Sequence, residues 1–107
     1  MAEVSYISEQ DFKSEVLESV LPVLVDFTAV WCGPCKMVDP IIKQLAEQWD
    51  GKVKVFKCDA DQNPNLLIQY GIMGIPTVML FKSGKLVERS SGYLPKDKLL
   101  NKLSPHL

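Results

Sequence analysis

Val23-Leu24-Val25-Asp26-Phe27-Thr28-Ala29, followed at once by Val30-Trp31-Cys32-Gly33-Pro34-Cys35-Lys36, is the stretch on which the architecture turns. Its first half is a near-continuous apolar run rich in β-branched and aromatic residues. Such a run predicts a central strand covered on both faces. Its second half sets two cysteines two residues apart just beyond that strand. From there to Trp49 apolar residues fall at Met37, Val38, Ile41, Ile42, Leu45 and Ala46, a helical stripe. Strand, cysteine pair and helix are therefore consecutive. Pro40 lies inside the helix, where its missing N–H predicts a kink. Asp50-Gly51 is a stop signal.

Outward from this unit the signals alternate. Toward the amino end, Val4 to Ile7 reads as a short strand. Ser8 is an expected helix N-cap, with Glu9 and Asp11 in the first turn. Ile7 and Phe12 occupy hydrophobic-staple positions. Phe12, Val16 and Val20 recur every four residues and predict an amphipathic helix closed by Pro22. Toward the carboxyl end, Val53 to Cys58 is a strand. Asn63-Pro64 opens a short helix through Leu66, Leu67 and Tyr70, ended by Gly71. Thr77 to Phe81 and Leu86 to Ser91 flank the hairpin signal Ser83-Gly84. Leu99, Leu100 and Leu103 stripe a last helix. The order βαβαβαββα predicts an α/β fold, a mixed central β-sheet with helices on both faces.

Length and charge narrow the function. The 107 residues are expected to form a single domain, 1–107. Twelve Lys and Arg against thirteen Asp and Glu leave a net charge of -1, which argues against gripping nucleic acid or anionic lipid through bulk charge. No apolar stretch approaches the roughly 20 residues of a membrane helix. Met1-Ala2-Glu3-Val4 shows neither a basic nor an apolar leader region. The expectation is a protein that is not secreted, in the cytoplasm or an equivalent reducing compartment. Three cysteines leave at least one unpaired within the chain.

The chemistry concentrates at Cys32 and Cys35. A helix start presents unpaired N–H groups and partial positive charge, which favour thiolate over thiol. Cys32, nearer the helix end and expected to be the more exposed, is placed to attack a disulfide. Cys35, one turn later, is placed to resolve the mixed disulfide. Gly33 allows close approach of another chain, and Pro34 suits a first helical turn. Zinc needs about four ligands and a lone CxxC supplies two, with only Cys58 and His106 as further soft candidates, so no metal is expected. A purely structural disulfide across so short a loop would stabilise little. Asp26 interrupts the apolar strand. Burial should raise its pKa and make it a proton acceptor near neutral pH, with Lys57 as candidate partner. A structural ion pair between the two is the alternative. Trp31 borders the dithiol or packs as a plain aromatic.

Trp31-Cys32-Gly33-Pro34-Cys35-Lys36 after Asp26-Phe27, with Gly74-Ile75-Pro76-Thr77 downstream, resembles the thioredoxin family. The likeness runs from the first strand to the last helix. It implies a protein disulfide reductase, a thiol–disulfide oxidoreductase whose redox-active disulfide is Cys32–Cys35. It implies a cis peptide bond at Ile75-Pro76, with Pro76 beside the dithiol and backbone groups of Ile75 pairing with a bound substrate chain. Trp31, Gly33, Pro34, Gly74, Ile75, Pro76 and Gly92 would then form the substrate-binding groove. Asp26 and Lys57 match the family's buried pair beneath the dithiol. The implied partners are disulfide-containing protein substrates and a thioredoxin reductase, NADPH- or ferredoxin-dependent, acting on a monomer with no tightly bound cofactor. Two rivals are a disulfide oxidant or isomerase and a redox-independent interaction module. Val30 and Asp39 depart from the family's common residues. The Asp39 charge is expected to bear on partner preference or thiol pKa. Cys58 reads as a small buried hydrophobe, and His106 as part of a frayed end.

Overall fold

The computed structural model describes residues 4–107. Met1-Ala2-Glu3, part of the stretch considered for targeting, lies outside the described residues. The strands are β1 (Ser5–Tyr6), β2 (Val23–Thr28), β3 (Lys54–Asp59), β4 (Thr77–Lys82) and β5 (Lys85–Ser91). They form one five-stranded sheet in the order β1-β3-β2-β4-β5. β1, β3 and β2 are mutually parallel neighbours, whereas β4 runs antiparallel to both β2 and β5. The helices are α1 (Cys35–Gln48), α2 (Pro64–Gln69) and α3 (Lys96–Leu103). A π-helical turn, Lys13–Leu17, precedes β2, and a 3₁₀ turn, Ser104–His106, follows α3. The mixed α/β architecture expected from the sequence is the one observed.

Strand alternation decides which helix covers which face. Leu24 of β2, Val78 and Leu80 of β4 and Val53 beside β3 pack against Val38, Ile42 and Leu45 of α1 and Leu99 and Leu103 of α3. The intervening Val23, Val25, Phe27, Cys58, Met79 and Phe81 pack against Phe12, Val16 and Leu66 on the opposite face. Every residue of β2 is buried, which explains its continuous apolar run. A fully buried large apolar side chain contributes about 1.5–3 kcal/mol, so these two layers dominate stability. Phe12, Tyr70 and Phe81 stack edge and tilt within the second layer, with centroids 5.5–5.7 Å apart.

The first helix differs from expectation. Phe12 and Val16 are buried, but Val20 is 100% exposed. The helical turn ends at Leu17, closed by Glu18 N–H on Lys13 O at 2.9 Å. Ser19 then builds its own turn, its hydroxyl donating to Leu21 O at 2.9 Å. Val20 is left on the outside of that turn. Ser8 makes no side-chain cap, because its hydroxyl goes to Asp11 Oδ2 at 3.3 Å. Asn63 precedes α2 as expected, yet its amide serves long-range contacts instead of capping. It donates to Asp59 O and accepts from Glu9 N–H, both at 2.9 Å.

Two turns are set by glycine. Ser83 and Gly84 both take positive φ, 53° and 78°, which matches the right-handed twist of β4 and β5. A Cβ on Gly84 would stand 2.7 Å from Leu17 O, so the hairpin turn abuts the π-helical turn. At the end of α2, Gly71 has φ 61°. Its N–H reaches Ile68 O, and Ile72 N–H reaches Leu67 O at 2.8 Å, a Schellman closure. The carboxyl end is tied down, not frayed. His106 Nε2 lies 3.0 Å from Glu88 Oε1, and Lys82 Nζ donates to His106 O at 2.9 Å.

Candidate active site

β2 ends at Thr28, and Ala29 begins the turn that leads to α1. Cys32 N–H donates to Ala29 O at 3.2 Å, which tightens that turn. Cys32 and Cys35 are joined by a disulfide with Cα atoms 5.3 Å apart. Cys35 opens α1, and its N–H donates to Cys32 Sγ at 3.2 Å. An unpaired helix N–H aimed at sulfur favours negative charge there once the bond is reduced. Both cysteines are buried, Cys32 3% exposed and Cys35 1%. The expected contrast in exposure between them is therefore slight. They pack with Ala29 and Ile75 as a small apolar cluster.

The Gly74-Ile75-Pro76-Thr77 segment lies against this pair. The Ile75-Pro76 bond is cis. Cys32 Sγ stands 3.8 Å from Ile75 O. Thr77 Oγ1 donates to Gly74 O at 2.7 Å, and Gly92 N–H donates to Pro76 O at 2.8 Å. A cavity of about 430 Å³ runs along Met73, Gly74, Ile75, Pro76 and Gly92, with Arg89 at its edge. Added Cβ atoms at Gly33 or Gly74 would meet nothing within 4 Å. The chain's own packing therefore leaves open space at both. Pro34 is exposed beside Gly33. Trp31 is 66% exposed and Met73 97% exposed, so apolar surface borders the disulfide.

Sequence reasoning missed the partners that fix this rim. Trp31 Nε1 donates to Asp61 Oδ2 at 2.8 Å. Arg89 donates to Tyr70 O at 2.7 Å and Gly71 O at 3.0 Å, holding the end of α2 beside the groove. Neither contact has a local signal, since the partners are far apart in the chain.

Asp26 is fully buried. It shares strand parity with Leu24 and Thr28 and so faces α1, the helix that Cys35 opens. Lys57 is its register partner on β3. The structural ion pair, the alternative reading of these two residues, is not formed, however. Among the described residues no Lys57–Asp26 contact falls within 4.0 Å. The Lys57 ammonium instead stands 5.1 Å over the Tyr6 ring. Burial pushes the Asp26 carboxyl well above the usual carboxylate range, the neighbouring Asp39 pushes it further, and Lys57 opposes both. Asp39, noted in the sequence only as a departure, thus belongs to this site. Cys58 is buried on the far face of the sheet, and desolvation, with Asp59 and Glu9, pushes its thiol up to about 12. Among the described residues no cluster of three or more His, Cys, Asp or Glu side chains is set to hold a metal.

A disulfide at a helix start thus faces a cis-proline loop, on the side of the sheet where Asp26 is buried. The sequence profile of the thioredoxin family matches residues 3–105. The chain belongs to the thioredoxin family. It is similar to thioredoxin 1 of Nostoc sp., 48% identical over 107 residues covering all of both chains. Thioredoxin of Synechocystis sp. is 49% identical over the same full span. Thioredoxin of Rickettsia felis is 53% identical over 95 residues, 89% of this chain and 90% of its own. The chain is a thiol–disulfide oxidoreductase, a protein disulfide reductase with the redox-active pair Cys32–Cys35. Its partners are disulfide-bearing proteins and a reductase. Among the described residues, no helix is long and apolar enough to cross a membrane.

Proposed function

We propose that residues 1–107 act as one thioredoxin domain in which Cys32 attacks and Cys35 resolves. The Cys32 thiolate attacks a substrate disulfide, and one substrate sulfur leaves as a thiolate. Cys35 then attacks Cys32 Sγ. The Cys32–Cys35 bond forms, the Cys32–substrate bond breaks, and the second substrate sulfur leaves. Two electrons pass from the dithiol to the substrate. Asp26 takes the Cys35 proton during resolution. Lys57 limits the cost of charging Asp26, its ammonium acting at longer range than an ion pair.

Substrate chains lie in the groove formed by Trp31, Gly33, Pro34, Gly74, Ile75, Pro76 and Gly92. Backbone pairing at Ile75 makes recognition tolerant of sequence. The protein works as a monomer in the cytoplasm or an equivalent reducing compartment. It carries electrons between a thioredoxin reductase, NADPH- or ferredoxin-dependent, and its targets, and so contributes to cell redox homeostasis.

The observation that carries this assignment of roles is the Cys35 N–H bond to Cys32 Sγ at 3.2 Å. It stabilises negative charge on Cys32 ahead of Cys35. The test is a reduced Cys35→Ser variant mixed with disulfide-bearing substrate proteins. Substrate accumulating on Cys32 as a mixed disulfide supports the order, and accumulation only in Cys32→Ser overturns it. Changing both cysteines to Ser should abolish dithiothreitol-coupled insulin reduction.

A further inference from the structure

α1 places Cys35 and Asp39 four residues apart, hence on one helix face one turn apart. That face meets the Leu24-Asp26-Thr28 side of β2. Thr28 Oγ1 donates to Asp39 Oδ2 at 3.2 Å and pins the carboxyl over the strand. Asp39 Oδ1 and both Asp26 oxygens are buried, and no donor among the described residues reaches them. Two carboxyl groups facing one side of β2, with three buried and unmet acceptor atoms, are costly to keep charged together. One proton between them supplies the missing donor.

We propose that Asp39 is a positioning residue for proton transfer, sharing one proton with Asp26 and so setting the pH range in which Asp26 accepts the Cys35 proton. The proposal rests on the acceptor role given to Asp26 above. Asp39 lines two surface cavities, of about 510 and 220 Å³, whereas Asp26 lines neither. Asp39 is thus the solvent-side half of the pair. The charged and titratable groups around it are Lys36 and Lys43 on α1, Lys57 and Asp59 on β3 and Tyr6 on β1. The three lysines favour one negative charge on the pair. Burial and mutual repulsion oppose two. A like charge beside Asp26 makes it a stronger base, better matched to a thiol proton, and moves its ionisation to higher pH.

The test follows the Asp26 carboxyl carbon by ¹³C NMR in oxidised protein, where neither Cys32 nor Cys35 titrates, alongside the pH profile of single-turnover resolution. In the unaltered chain Asp26 should titrate in two steps, the signature of a coupled pair. In Asp39→Asn it should titrate in one step at lower pH. The acid limb of resolution should move down with it, and the alkaline plateau should fall as the base weakens. In an Asp26→Asn background, Asp39→Asn should leave the resolution profile unmoved. An Asp26 titration that is single-step in the unaltered chain, or that Asp39→Asn leaves unmoved, overturns the proposal. The two-step criterion needs no variant, so it decides the matter even if Asp39→Asn fails to fold. If Asp26→Asn alone leaves resolution unchanged while the Asp26 signal still responds to Asp39→Asn, the acceptor role fails. The kinetic part of Asp39 falls with it, and this pattern separates the two failures.

Discussion

Trp31 and Asp61 are joined across 30 residues by a 2.8 Å hydrogen bond from the indole Nε1 to Oδ2. The bond holds an exposed aromatic upright beside the disulfide. Because it sits in solvent, its contribution to stability is small, at most about 0.5 kcal/mol. Its larger effect is to order the groove rim. Asp61→Ala should leave the melting temperature nearly unchanged and raise the KM for protein disulfides several-fold while kcat for a small disulfide stays constant. Equal loss on both substrates would mean that the bond serves the chemistry instead of docking.

Arg89 ties the end of α2 to β5 through two backbone carbonyls. Two charge-assisted bonds to groups that the helix itself leaves unpaired contribute about 1.5–3 kcal/mol each where partly buried. Arg89→Ala should therefore lower urea stability by a few kcal/mol. It should also speed amide exchange at Gly71 and Ile72 more than in β2. Uniform exchange across the chain would show that Arg89 acts only globally.

Asp26 carries a pH signature with a definite sign. Its folded-state proton affinity is raised, chiefly by burial. The folded state then holds a proton that the unfolded chain releases, so stability falls as pH rises above the unfolded carboxylate value of about 4. Below that value both states are protonated and the penalty vanishes. Asp26→Ala should gain roughly 1–3 kcal/mol at neutral pH, and the gain should shrink toward zero near pH 3. Urea titrations of oxidised protein across that range check it. A gain independent of pH would mean that packing, not charge, is responsible.

Cys58 should be silent. With its thiol pushed up to about 12 and its side chain fully buried, almost none is thiolate near neutrality. Brief iodoacetamide treatment of the reduced native protein, read by peptide mass spectrometry, should label Cys32 and leave Cys58 unmodified until denaturant is added. Early labelling of Cys58 would contradict its burial.

Gly84 should be the most costly glycine to replace. It combines φ 78° with a Cβ position 2.7 Å from the Leu17 carbonyl. Gly84→Ala should cost about 1–3 kcal/mol, against little for Gly33→Ala, where the added carbon meets nothing within 4 Å. Chemical denaturation of the pair decides it.

What the sequence exposed and what it hid divide along physical lines. β2 and α1 were readable because burial on two faces writes a continuous apolar run and burial on one face writes a stripe. Cys32, Cys35 and Asp26 stood out because each breaks the chemistry of its neighbours. Val20 misled because a four-residue apolar spacing resembles a helix even after Ser19 has turned the chain away. Lys57 is readable as a candidate partner of Asp26 from its strand alone, but a cross-strand neighbour does not dictate where a long ammonium stem ends, and the alternative of a structural ion pair is not met. Asp61 and Arg89 left no local trace. Asp39 did leave one, its four-residue spacing from Cys35 on a helix that had to cover the sheet.

The ladder around β2 also bears on how the reaction can proceed. β2 is hydrogen-bonded to β3 on one side and β4 on the other along its length. Shifting the Asp26 backbone toward or away from the sulfurs would require breaking both ladders together. The strand that carries the carboxyl is therefore a fixed anvil, and the proposed working parts lie beyond its end, in the turn at Ala29 to Pro34 and the rim around Ile75. Successive rounds of oxidation and reduction thus run on an unmoving foundation, and adaptation to different substrates falls to the rim alone.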